Sequence, residues 1–138
     1  MEWFLHKYLL HIYAKKHKWV FHIYHHQIVA KTGGPDPDYD DPFFKSVPRM
    51  KEVGGLLLLS VLHLPCILIS FWLWLGMAIF AQLFWIVHFW SHKSPEWGWR
   101  WVPWHMEHHL VTGNKNYGIV TPLWDWLCGT LITRRPKR

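Results

Sequence analysis

The chain has 138 residues, enough for one domain, and 15 Lys and Arg against 9 Asp and Glu give a net charge of +6. Just over half of it is apolar, yet the mean hydropathy is −0.02, so the apolar residues are gathered into blocks. The basic excess flanks an apolar run and comes with no nucleic-acid motif, which sets aside a nucleic-acid binder and points to a cationic surface beside a membrane.

The opening "MEWFLHKYLLHIYAKKHK" carries charges where a cleaved signal needs its apolar core. Residues 3–31 contain good helix formers and neither Gly nor Pro, which predicts helix. "KTGGPDPDYDDP" follows, and Thr32 to Pro42 reads as a loop by its Gly, Pro and Asp content. Its "DPDYDD" lacks the ligand spacing and closing glutamate of a calcium loop.

From Gly54 to Val87 there is no Asp, Glu, Lys or Arg, a run of 34 residues. One bilayer crossing takes about 20 residues, so the run suits two tight helices, roughly 54–71 and 76–92, meeting near "FWLWLG". Pro65 is expected to kink the first. A soluble core has no use for so long a charge-free stretch. Twelve tryptophans read as interfacial anchors. Both ends of the hairpin open onto basic residues (Arg49, Lys51, Lys93, Arg100 and the final "RRPKR"), while its tip has none. The positive-inside tendency then puts both chain ends in the cytoplasm. The expected fold is an all-α integral membrane protein: one domain over 1–138, a transmembrane helical hairpin at about 54–92, and a cytosolic helical cap from segments 3–31 and 88–130. Cys66 and Cys128 are too few for a disulfide framework and read as free thiols.

Ten of the twelve histidines fall into four groups. "HKYLLH" holds His6 and His11; "HIYHH" holds His22, His25 and His26; "HFWSH" holds His88 and His92; "HMEHH" holds His105, His108 and His109. Residues three and four apart share a helix face, so each HxxHH group is expected to aim its rings at a common point. The spacing of five between His6 and His11 needs a wider arc or a local irregularity. Imidazole binds Zn, Cu, Ni and Fe alike, but ten rings exceed what one zinc site uses and suffice for two metals with about five apiece, or for two sites with spare rings supporting the ligands. A pair of redox irons is the economical reading. His17 and His63 belong to no group and read as structural. Asn116 and Asp125 are candidates for orienting ligand histidines through the second ring nitrogen. Glu107 is angled away from its neighbours' rings and reads as solvent-facing or structural.

The ordered series HxxxxH, HxxHH, HxxxH, HxxHH resembles the fatty acid hydroxylase superfamily, the membrane-bound histidine-box di-iron enzymes that include fatty acid 2-hydroxylases and sterol desaturases. The opening "EWFLHKYLLH" and the tail "NYGIVTPLWDWLCGT" are similar to that family's first and last segments, so the resemblance covers nearly the whole chain. It implies two Fe ions, with Zn possible as isolated, held by the ten grouped histidines and no catalytic residue beyond these ligands. It implies hydroxylation of an unactivated C–H of a fatty acyl or sterol lipid using O₂ and two electrons. Desaturation by the same site, or a non-catalytic zinc-binding membrane protein, are the alternatives. The implied partners are a membrane lipid and an external electron donor, cytochrome b5-like or ferredoxin-like with its reductase, with room for homo-oligomers. The compartment would be the endoplasmic reticulum in a eukaryote or the inner membrane in a bacterium. The family's earlier transmembrane helices and fused donor domain have no counterpart here, so the chain reads as a minimal enzyme or a catalytic fragment.

Overall fold

The computed structural model describes residues 2–13 and 21–133 and is all-helical, with no strand among them. His17 and the final "RRPKR" lie outside the described residues. The elements in order are α1 (Glu2–Phe4), which runs on as a π-helix over Leu5–Tyr13, α2 (Phe21–Thr32), α3 (Val47–Leu62), α4 (Phe71–Lys93), α5 (Pro95–Trp101), α6 (Pro103–Glu107), which runs on as a π-helix over His108–Thr112, and α7 (Leu123–Leu127).

The expected hairpin is formed by α3 and α4. Ser46 caps α3 by accepting from the Arg49 amide, and Pro48 occupies the first turn, where its missing N–H costs nothing. α3 starts earlier and stops sooner than the charge pattern suggests. Pro65 does not kink it: the helix ends at Leu62, and Pro65 sits inside a short 3-10 helix, Leu64–Leu68, that turns the chain. The physical reason is that proline is compatible with the start of a helical turn but not with a helix interior. Across the hairpin the Trp74 indole donates to the Ser60 carbonyl at 3.1 Å.

Val47–Leu68 and Phe71–Lys93 are each long and apolar enough to cross a membrane. At about 1.5 Å per residue, the 23 residues of α4 reach about 35 Å. Their apolar side chains are bare, with Leu68 91% and Trp72 75% exposed. Burial is concentrated at the open end of the hairpin, where the fully buried side chains include His6, His92, His105, His108, Glu107, Asn116 and Asp125 beside only Met106, Ile119 and Val29. The packed part of this protein is built around polar groups.

Candidate metal centre

The π-helix over Leu5–Tyr13 resolves the spacing of five. In an α-helix five residues turn through about 500°, leaving the rings some 140° apart. The i→i+5 ladder of a π-helix sets residues five apart one above another. His6 Nε2 and His11 Nε2 are accordingly 3.2 Å apart. α2 brings His22 and His26 to the same point: His22 Nε2 lies 2.8 Å from His6, 3.1 Å from His11 and 3.1 Å from His26. His108 completes this first cluster, its Nε2 3.0 Å from that of His11. Ligand atoms of all five lie within 4.8 Å of one another.

A second cluster adjoins it. His25, His88, His92 and His109 likewise present ligand atoms within 4.8 Å of one another. His105 stands at its edge, with Nε2 3.0 Å from that of His92. The rings of His26 and His109 stack at 3.9 Å and join the two clusters. All ten grouped histidines are therefore found together, but not as the spacing suggested. Each HxxHH group divides: His22 and His26 face the first cluster and His25 the second, while His108 faces the first and His105 and His109 the second. Successive helical residues differ by about 100°, so a helix lying between two points serves both. His63 stays apart, its Nδ1 donating to the Leu59 carbonyl.

The second ring nitrogens explain why the Nε2 atoms face each other. His6 Nδ1 donates to the Tyr117 carbonyl at 2.6 Å, His108 Nδ1 to Lys115 at 2.5 Å and His92 Nδ1 to Gly34 at 3.0 Å. His25 Nδ1 meets Asp36 at 2.5 Å, and His88 Nδ1 meets Glu52 at 2.6 Å. A neutral imidazole carries one proton. With that proton held on Nδ1, the Nε2 lone pair is left aimed into the cluster. The Nε2 atoms of His25, His88 and His109 are buried without any hydrogen-bond partner. Charging the rings is no remedy: burial, then repulsion from neighbouring histidines, holds His6, His22, His26, His105 and His109 well below the usual imidazole range, and His108 falls to about 3. Converging lone pairs on neutral, buried imidazoles form a donor set that fits a divalent transition-metal ion in each cluster.

Among the described residues the hydrogen bonds of Asn116 and Asp125 go to groups other than histidine rings. Both residues act one step further out, by fixing the loop whose carbonyls meet the rings. Asp125, fully buried, accepts from Tyr117 N at 2.8 Å, Gly118 N at 2.6 Å, Trp3 Nε1 at 3.0 Å and Thr130 Oγ1 at 2.7 Å. Asn116 adopts a left-handed φ of 56°, tolerated by asparagine, and so presents its neighbours Lys115 and Tyr117 to His108 and His6. Its amide donates to Glu107 Oε2 at 3.1 Å and to the Ile132 carbonyl, so Glu107 is buried and structural, not solvent-facing. Gly118 has no room for a side chain, since a Cβ would sit 2.1 Å from the Thr121 carbonyl. Glu2 accepts from Val120 and Thr121 amides and closes the first segment onto the last.

Sequence reasoning missed Asp36, Tyr39 and Glu52. The Tyr39 hydroxyl donates to Glu52 Oε2 at 3.1 Å and lies 3.1 Å from His88 Nδ1. Asp36 and Tyr39 fall in the "DPDYDD" stretch, whose only readable signal was a density of acids beside a loop. A cavity of about 1150 Å³ runs from His6, His22, His25 and His88 down between the hairpin helices past Leu59, Met77 and Phe80 to His63 and Trp72. Its walls along the hairpin are almost wholly apolar.

Compared with protein-family models, with curated proteins and with solved structures, the chain matches none.

Proposed function

We propose that the chain is a membrane-embedded non-haem di-iron oxygenase that hydroxylates an unactivated C–H bond of a lipid. The observation that carries this reading is the joining of two clusters of neutral imidazole lone pairs to a long apolar cavity between bare hairpin helices. A core helix of a soluble protein hides its apolar side chains, whereas none of the first hairpin helix's apolar stretch and 11% of the second's is buried. Lipid is the solvent that suits that surface. The basic residues Arg49, Lys51, Lys93 and Arg100 at the open end favour placing the histidine clusters on the cytoplasmic side.

Iron is favoured by ligand number: the five histidines of the first cluster exceed the four ligands that close a structural zinc site. His6, His11, His22, His26 and His108 would hold one ion; His25, His88, His92 and His109, with His105 beside them, the other. Bound there, a pair of irons supplies activation of O₂ with two electrons from an external donor, for the balance R–H + O₂ + 2 e⁻ + 2 H⁺ → R–OH + H₂O.

The protein's part is positioning and exclusion. Carbonyls of Gly34, Lys115 and Tyr117, with the carboxylates of Asp36 and Glu52, keep the ring protons on Nδ1 and the Nε2 atoms free. Leu59, Met77 and Phe80 exclude water from a chain lying in the cavity and steer it toward His25 and His88. Mass spectrometry of membrane lipids from a host expressing the chain, grown under isotopically heavy O₂, tests the reading. The expected product carries one heavy oxygen atom and is missing with His108→Ala. A product that has lost two hydrogens and gained no oxygen would instead identify a desaturase. Two tightly held zinc ions and no altered lipid in iron-replete cells would overturn the oxygenase reading.

A further inference from the structure

The two clusters share their ligand type and differ in what backs it. In the cluster of His6 and His108, both Nδ1 protons with identified acceptors go to peptide carbonyls, those of Tyr117 and Lys115. In the cluster of His25 and His88, two of the three go to carboxylates, Asp36 at 2.5 Å and Glu52 at 2.6 Å, and the third, from His92, to the Gly34 carbonyl. Asp36 is 4% exposed and is itself held by the Asp38 amide at 2.9 Å. Glu52 is held by the Tyr39 hydroxyl on its other oxygen. Neither carboxylate forms an ion pair with Lys or Arg among the described residues, so each directs its charge at the ring. A carboxylate accepting the distal proton makes an imidazole a more basic ligand than a carbonyl does, and removing such a partner costs about 10–100-fold in metal affinity.

We infer that the two metal positions are inequivalent, and that Asp36 and Glu52 make the His25/His88 position the tighter of the two. Asp36 and Glu52 are positioning residues: they act on the ion only through imidazole. Tyr39 fixes the carboxylate of Glu52 and has a smaller effect of its own. This inference rests on the metal-binding half of the proposed function and is independent of whether lipid is oxidised.

The test uses the full chain in detergent micelles, loaded with Zn(II) and brought to equilibrium with chelator buffers of decreasing free zinc. The zinc retained per chain is expected to fall in two steps of one equivalent each. Glu52→Gln keeps the size of the side chain and an acceptor for His88, and is expected to weaken the tighter step about 10-fold or more while leaving the looser one in place. Tyr39→Phe should move the tighter step in the same direction by less. His11→Ala, in the carbonyl-backed cluster, should remove the looser step alone. Circular dichroism confirms that each variant remains folded. Two equivalents released in one step, an unchanged tighter step in Glu52→Gln, or loss of the tighter step in His11→Ala would each overturn the inference while leaving the metal centre standing. Retention of no zinc at all would overturn both.

Discussion

At the open end of the hairpin most of the fully buried side chains are imidazoles, carboxylates and an amide; along the hairpin itself many apolar side chains, among them Leu57, Leu58, Leu68 and Trp72, lie exposed. The two regions exchange the usual positions of polar and apolar residues. The proposed function accounts for both: lipid is a solvent that rewards exposed hydrocarbon, and cations would relieve desolvated lone pairs that face one another, where burial of an unpaired polar atom costs about 1–3 kcal/mol. On that proposal stability is divided between lipid and metal, with little left to conventional apolar packing.

The sharpest way to break that division is to withdraw the metal. Chelation is expected to unfold the histidine end cooperatively, since structural metal binding contributes on the order of 10 kcal/mol. Hydrogen exchange should show lost protection at residues 2–13, 21–32 and 103–133, while the micelle-embedded helices α3 and α4 stay protected. Loss of protection in both regions alike would mean that they are one cooperative unit.

Asp125→Ala comes next. It leaves the Tyr117 and Gly118 amides without their side-chain acceptor and the Trp3 indole with Thr130 Oγ1 alone. The expected cost is about 3 kcal/mol or more, read as a lower midpoint of the histidine-end transition with the hairpin unaffected. Retained zinc should fall chiefly at the cluster of His6 and His108, because the loop carrying their carbonyl acceptors is released.

Acid should produce a smaller and graded version of the same loss. The buried histidines have folded pKa values below that of the free side chain, so the unfolded chain binds more protons beneath about pH 6.5 and stability falls with falling pH. For His108 the loss accumulates between about 6.5 and its folded value of about 3. Competition of protons with metal for the same nitrogens acts in the same direction. Thermal midpoints measured between pH 8 and pH 5 should therefore drop monotonically, and an increase on acidification would contradict the arrangement of neutral rings.

The mildest change is Gly76→Leu in the hairpin. Gly76 lines the cavity and an added Cβ there meets nothing within 4 Å, so a larger side chain has open space to enter and narrows the cavity. Zinc retention and thermal midpoint should be unchanged within about 0.5 kcal/mol, while any lipid product shortens or disappears.

What could be read before the structure was known follows the same division. The hairpin was legible because a charge-free run has few places to go, although proline's preference for a turn's start moved the helix end from 71 to 62. The four histidine groups were legible because residue type and spacing are printed in the chain. The partition of each HxxHH group between two clusters was not, since it depends on where α2 and α6 lie relative to both points. Nor were Asp36 and Glu52, whose partners His25 and His88 stand 11 and 36 residues away. Asn116 and Asp125 were found for the right neighbourhood and the wrong contact: a pattern can suggest that a polar residue supports a ring, but not that it works through a carbonyl.

The hydrogen bonds from Glu2 and Trp3 to residues 120, 121 and 125 have a consequence for biosynthesis. Translation proceeds from the N-terminus, so His6 must wait for Tyr117 to leave the ribosome before its ring is oriented, and His11 for His108. Under the proposed function, α3 and α4 enter the bilayer before that moment, so the newborn chain is anchored first and acquires its ions last, and any machinery that delivers metal would meet a protein already seated at the membrane.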